Sequence, residues 1–216
     1  MFRMLALLIL LAAQAQAGAW SREKGKTFLS FSTQVEGPSE FGLYDSFATV
    51  YAEYGLTDKL TAGLDLGGSA LQMTKAVAFL RLPLGRLDQP TKLAAELGLG
   101  QVDGRTALRP GFSMGRGLTL WQRQGWAAID TRFVKFDRGS DSLFETDLTF
   151  GLNASKKTKL ILQLQTGARS SNPLYIRLAP SLVIERKPGH HLELGITAGL
   201  KEISTKGIKI GTWRHF

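Results

Sequence analysis

The chain has 216 residues, with 24 Gly, no Cys, and 27 Lys and Arg against 18 Asp and Glu, a formal net charge of +9. Hydrophobic residues at 44%, charged residues at 21% and a mean hydropathy of −0.03 exclude a disordered chain, a collagen-like repeat and a bundle of membrane helices. The lack of Cys excludes a disulfide scaffold, a thiolate metal site and a thiol nucleophile.

Residues 1–17 show the three parts of a secretory signal peptide: Arg3, an apolar run from Leu5 to Ala13, and the small-x-small site Ala15-Gln16-Ala17. The run is too short to cross a bilayer as a helix, which takes about 20 residues. Cleavage after Ala17 is expected, leaving one domain over 18–216 with a net charge of +8 once Arg3 is lost.

From there the chain has one texture, in which apolar side chains alternate with polar or small ones at period two, the pattern of strands with two different faces. In the first segment Leu29, Phe31, Thr33 and Val35 oppose Ser30, Ser32, Gln34 and Glu36. A looser second covers 44–54, and the third sets Leu60, Ala62, Leu64 and Leu66 against Thr61, Gly63, Asp65 and Gly67. The fourth covers 75–84, and the fifth sets Leu93, Ala95, Leu97 and Leu99 against Ala94, Glu96, Gly98 and Gly100. Segments 108–114 and 126–136 precede the eighth, where Phe144, Thr146, Leu148, Phe150 and Leu152 oppose Glu145, Asp147, Thr149, Gly151 and Asn153. After 160–169 and 175–185, the eleventh sets Leu192, Leu194, Ile196, Ala198 and Leu200 against Glu193, Gly195, Thr197, Gly199 and Lys201, and 208–216 closes the series. Turn chemistry such as Asp103-Gly104, Gly139-Ser140-Asp141 and Pro188-Gly189 separates them. Pro110 and Pro180 fall inside segments, where each removes a ladder donor, so they read as bulges or strand ends. The expected fold is an all-β, closed antiparallel barrel of about 12 strands, with 10–14 left open by the two prolines.

The polar faces collect ten acids, among them Glu36, Asp45, Glu53 and Asp65, against eight bases. A soluble barrel would wear these charges outside and would need Leu, Ala and Val to fill a wide interior. With the apolar band facing lipid, near-balanced charges face a polar lumen, the pattern of a transmembrane barrel. The secretory signal selects the same answer, and an even strand number puts both termini on the periplasmic side.

The chain ends Gly211-Thr212-Trp213-Arg214-His215-Phe216, with Ile208, Ile210, Thr212 and Phe216 on one face. This alternating strand with a terminal aromatic resembles the signature by which the barrel assembly machinery accepts bacterial outer-membrane proteins, with Arg214 where an apolar residue is usual. The stretch Tyr54-Gly55-Leu56-Thr57-Asp58-Lys59-Leu60-Thr61 resembles the strand–turn–strand junction of small porin-like outer-membrane proteins of uncharacterised substrate. The resemblance implies an outer-membrane barrel, Phe216 as assembly signal and passive transport, and it transfers no binding residue.

On this topology the outer loops fall near 37–42, 69–74, 101–106, 137–142, 170–173 and 202–206, all too short to fold into a channel. The longest link, 115–125 with Trp121, falls on the periplasmic side. Tyr44, Tyr54, Trp126, Phe136 and Phe144 lie near strand ends, where amphipathic rings suit a membrane interface. Phe47, Tyr51, Phe79, Trp126 and Tyr175 fall on lumen-facing positions and would partly occlude the interior.

The candidate functional surface is the lumen. Arg81, Arg109, Arg132, Arg169 and Arg177 would form a basic track for an anionic solute, or would pair with Glu96, Asp130, Glu145, Asp147 and Glu185 as a structural plug. About eight strands give a filled interior and sixteen a channel, and twelve falls between. The expected function is a narrow passive channel for small polar or anionic solutes. The rivals are a closed structural or surface-interaction barrel and a lipid-modifying enzyme. An enzyme is not expected, because His190 and His191 lie in a predicted turn and His215 is penultimate, away from the outer leaflet. No metal or cofactor is expected, since no third ligand joins the His pair by spacing. Nor is nucleic acid, since Lys and Arg are dispersed. The expected partners are outer-membrane lipid, lipopolysaccharide at Arg105, Arg138 or Lys206, the barrel assembly machinery and a small polar solute.

Overall fold

A computed structural model describes residues 18–38, 42–69, 71–170 and 172–216. The signal peptide read at 1–17 lies outside the described residues. Twelve strands form a closed antiparallel barrel: β1 (Thr27–Gly37), β2 (Asp45–Gly55), β3 (Thr61–Gly68), β4 (Met73–Leu84), β5 (Thr91–Val102), β6 (Arg105–Leu120), β7 (Arg123–Phe136), β8 (Ser142–Asn153), β9 (Thr158–Arg169), β10 (Asn172–Lys187), β11 (His190–Lys201) and β12 (Lys206–His215). Each strand pairs with its neighbours in sequence, and β1 pairs with β12 from Phe28↔His215 to Gly37↔Lys206. Closure leaves no unpaired edge, the condition for a sheet to stand in lipid.

The alternation read from the sequence sets the two faces. Phe31, Leu64, Leu97, Leu148, Leu194 and Ile208 point outward and are exposed, whereas Glu53, Asp65, Arg81, Glu96, Arg109 and Asp130 point inward and are buried. The barrel is thus inverted relative to a soluble protein, with its apolar face toward lipid.

Both prolines stay within strands and make neither a bulge nor a strand end. Around Pro110 the β6–β7 pairing lapses between Leu108↔Lys135 and Gly111↔Arg132 and resumes in the same register. Around Pro180 the β10–β11 pairing lapses between Leu178↔Ala198 and Ser181↔Gly195. Each proline keeps its other neighbour, Leu97↔Pro110 and Pro180↔Leu162, so a missing N–H leaves a local gap with no shift. The expected long link at 115–125 is absent. Leu120↔Arg123 closes a tight hairpin whose two turn residues, Trp121 and Gln122, have φ of 47° and 63°. The sequence pattern fades there because Gly115 and Gly117 carry no side chain to show a face.

Inward glycines recur beneath inward rings. The place of a Cβ on Gly63 is taken by Phe79, on Gly151 by Trp126, and on Gly167 by Tyr175, whose ring stands 2.5 Å from it. A bare strand position lets the neighbouring ring lie flat on the wall. The same packing corrects two aromatics expected at the membrane interface: Trp126 and Phe136 are 1% and 2% exposed inside the barrel, while Tyr44, Tyr54 and Phe144 are exposed.

Gly151→Val places a branched side chain where the Trp126 ring lies. It is expected to lower unfolding stability in urea by about 1–3 kcal/mol. Gly117→Val, with open space around its Cβ position, should leave stability within about 0.5 kcal/mol.

Candidate functional site

The lumen divides into a filled sector and an open one that holds two separate cavities, together called the passage. The filled sector begins on β2 and β4, where Arg81 lies between two carboxylates. It pairs with Glu53 and, at 2.7 Å, with Glu96, and it donates to the Tyr51 hydroxyl at 2.8 Å. Arg109 continues the series at 3.1 Å from Glu96 and 2.6 Å from Asp65, which also binds Lys75 at 2.8 Å. The Phe79 ring stacks on Tyr51 at 5.7 Å and lies under the guanidinium groups of Arg81 and Arg109 at 5.0 and 5.9 Å. Period-two alternation on adjacent strands places these charges at one level, and register pairs Arg81 with Glu96 directly. With Arg81 2% and Arg109 1% exposed, this is a desolvated wall in which each charge has an opposite neighbour.

Toward the end away from the termini the wall becomes apolar. Val77, Val102, Ala107, Val134 and Phe136 form an inward cluster with Leu143 against it, so the inward face is not uniformly polar. Arg105 covers the Phe136 ring at 3.7 Å and Arg169 at 5.7 Å. Arg169 pairs with Asp103, and Arg105 with Asp141 at 2.7 Å. The Arg105 hydrogen bond holds Asp141, in the β7–β8 loop, below the usual aspartate range. A carboxylate depressed in this way contributes fully at neutral pH, and its contribution is lost as pH falls through the lowered folded value.

At the terminal end the chain enters the barrel before β1. Arg22 pairs with Glu53, and its backbone N–H donates to Thr61 Oγ1 at 3.1 Å. Trp20 covers Gly115. A Cβ on Gly18 would stand 2.5 Å from Ser113 Oγ and 2.6 Å from Asp130 Oδ1, so Gly18 sits in the lumen against a carboxylate that is 4% exposed. Ser113 donates to Asp130 at 2.6 Å.

What remains is a polar cavity of about 240 Å³ whose lining includes Gly18, Asp130, Arg132, Asp147, Glu193 and Lys209, with Phe28, Tyr51, Trp126 and Trp213 as aromatic walls. Four of its five charges are paired, Arg132 with Asp147 at 3.3 Å and Lys209 with Glu193 at 2.9 Å, and Asp130 accepts from Ser113. Farther out Arg177 meets Glu36 at 3.1 Å, and a mouth of about 400 Å³ is lined by Glu145, Arg169, Tyr175 and Glu202. With Lys92 and Arg105 at the strand ends assigned to the two rims, the remaining buried and half-buried inward strand positions and Arg22 hold nine basic and nine acidic side chains, a neutral interior.

The ten sequence candidates therefore separate. Arg81, Arg109 and Glu96 are wall; Asp130, Arg132 and Asp147 line the passage; Arg177 sits above them; Arg169 and Glu145 are at the mouth. Glu185 lies near the termini, accepting from Gly189 N–H at 3.3 Å. The five arginines do not form one continuous track. Sequence reading missed Gly18, which precedes all strand periodicity, and it placed Glu193 on the polar face without counting it as a candidate, because alternation does not show its pairing with Lys209 across β11 and β12. The histidines depart from their expected turn: His190 and His191 open β11, and the His191 ring, 6% exposed, lies 5.6 Å from that of His215 and 6.4 Å from that of Trp213. Among the described residues no group of three or more His, Asp or Glu could hold a metal ion.

No protein-family model matches the sequence, and no curated protein matches it. In structure the chain is similar to the NanC porin, with 10% identity, 85% of this chain and 98% of that one covered, and a TM-score of 0.64. It is similar also to the KdgM porin in complex with disordered oligogalacturonate, at 6% identity, 88% and 99% coverage and a TM-score of 0.63. A third is an outer membrane channel from Pseudomonas putida F1, at 12% identity, 94% and 100% coverage and a TM-score of 0.56. At these identities the likeness is one of fold.

Arg81→Met leaves Glu53 with Arg22 alone and Glu96 with Arg109 alone, each short of one buried hydrogen-bond donor, and is expected to cost about 1–3 kcal/mol of unfolding free energy. Arg132→Met, at a half-buried position facing the passage, should cost under about 1 kcal/mol in the same urea titration.

Proposed function

We propose that this protein is a narrow passive channel of the bacterial outer membrane for small polar or anionic solutes, and not an enzyme. The observation that carries the reading is the polar passage beside the salt-bridged wall. Its hydroxyl, amide and charged groups replace water contacts for a solute, and Trp126, Trp213 and Tyr51 offer flat apolar faces. The KdgM porin, similar in fold, has been captured with oligogalacturonate, which supports an acidic sugar as the class of solute to test first. In a neutral interior, selectivity rests on which cations face the passage. Those are Arg132 and Lys209 in the cavity and Arg169 at the mouth, not Arg81 and Arg109.

In this reading 1–17 is a signal peptide removed after Ala17, and the new α-ammonium of Gly18 stands beside Asp130. The segment 18–22 then narrows the periplasmic end of the passage, held by its own N-terminal charge and by the Arg22 pair with Glu53. Phe216 serves the barrel assembly machinery: its backbone joins Thr27 through N–H to carbonyl bonds of 3.0 and 3.2 Å, directly at the closing seam. Contact with lipopolysaccharide falls to exposed Arg138 and Lys206, since Arg105 is committed to Asp141 and Phe136.

The intact mass of protein recovered from the membrane should correspond to a chain starting at Gly18. In planar bilayers the protein should give small steady conductance steps. Removal of 18–22 should raise the conductance by about twofold or more, as expected for a pore set by its narrowest section. Arg132→Glu should shift the reversal potential under a salt gradient toward cation preference. Silence of both the intact and the shortened barrel, each heat-modifiable and folded, would sink the channel reading.

A further inference from the structure

The surplus positive charge of the chain sits at one end of the barrel. The interior is neutral, and at the end away from the termini five Lys and Arg face five Asp and Glu among the described residues. The turns and strand ends beside the termini hold twelve Lys and Arg against three acids, Glu23, Asp58 and Asp88. Eleven of those twelve cations are exposed, and the single ion pair shown for them joins Arg86 to Asp88. Four of the cations, Arg116, Arg123, Arg186 and Arg214, stand at outward strand positions, facing lipid at the level where the apolar band ends.

One sector of this rim has a shape to match its charge. On the outside of the barrel a hollow of about 650 Å³ is lined by Met114, Arg116, Ala127, Ile129, Leu148 and Phe150, with Leu162, Leu164 and Leu178 beyond. Register explains it: Arg116 pairs with Ala127, and Ala127 with Phe150, so a methyl group lies between two large side chains. Arg116 is the one charged residue of the lining and closes the hollow toward the terminal end. Below it the ribbon of 117–120 and 123–124 runs past the ends of β5 and β8 pairing and carries Trp121, 80% exposed, at its tip. Arg123 donates to the Ala154 carbonyl, which joins this ribbon to the turn bearing exposed Lys156 and Lys157.

We propose that this sector is a binding site for an acidic phospholipid, with the acyl chains in the hollow over Ala127 and the phosphate against Arg116 and Arg123. Several cations above an apolar groove, flanked by an exposed Trp at interfacial level, match a ligand with an anionic head and two apolar tails. The neutral opposite rim gives the same lipid no comparable site, so the barrel carries a leaflet preference. This inference needs only that the barrel spans a bilayer and is independent of whether the lumen conducts.

The test is native mass spectrometry of the folded protein released from micelles containing equal amounts of phosphatidylglycerol and phosphatidylcholine with identical acyl chains. The expected result is retention of phosphatidylglycerol about tenfold over phosphatidylcholine. That preference should fall to about twofold or less in Arg116→Gln/Arg123→Gln and stay unchanged in Lys135→Gln, exposed on β7 at the opposite rim. Ala127→Phe, which fills the hollow and leaves every charge in place, should reduce retention of both lipids. Equal retention of the two lipids by the unaltered protein would overturn the proposal. So would a preference that survives Arg116→Gln/Arg123→Gln, or retention untouched by Ala127→Phe. Displacement of the lipid by excess inorganic phosphate would reassign the site to a free phosphate and overturn it as well.

Discussion

Closure of β1 onto β12 is the constraint on which everything else in this molecule depends. In hydrocarbon an unpaired backbone N–H or carbonyl has no water to turn to, and each one costs several kcal/mol. The pairing from Phe28↔His215 to Gly37↔Lys206 removes the last open edge, and the backbone bonds between Thr27 and Phe216 extend it to the final residue. Once the sheet is a closed wall, side chains have two destinations only, lipid and lumen. Period-two alternation becomes the rule that sorts them.

The lumen poses the opposite problem from a soluble core, because the side chains directed there are the polar ones. The chain fills it by neutralisation. Glu53, Arg81, Glu96, Arg109, Asp65 and Lys75 alternate in sign across five neighbouring strands, so each charge is satisfied by the next. Such a ladder is more a device of position than of net stability, since desolvation offsets much of the Coulomb attraction. Its consequence is asymmetry. With one sector occupied by the ladder, by the Val77 to Phe136 cluster and by residues 18–22, space for a solute is left along β7 to β12 and β1.

Glycine has a spatial role in this architecture. Gly63, Gly151 and Gly167 leave bare patches of wall on which Phe79, Trp126 and Tyr175 lie. A barrel with a large residue at every inward position would be overfilled; one with a glycine at every such position would be a wide pore. The mixture sets an intermediate bore, and the Phe79 ring on Gly63 also lies against the guanidinium groups of Arg81 and Arg109.

The sequence by itself determined the strand number to within two, the face of most strand residues and the inside-out sense of the barrel. These follow from local periodicity, which needs no knowledge of distant partners. It failed locally where the side-chain signal vanishes, at Gly115 and Gly117 before the β6–β7 turn. It failed at Pro110 and Pro180 because the cost of a missing N–H depends on which neighbour it would have met. Tertiary structure alone decided which inward charges are wall and which are passage. Arg109 and Arg132 carry the same alternation signal, yet one is enclosed by Asp65 and Glu96 and the other faces open space. That difference arises from cross-strand register and from the curvature that brings five strands' charges together. The same holds for the basic rim: dispersed along the chain, its cations gather at one end only because successive turns on that side fold back to the same level.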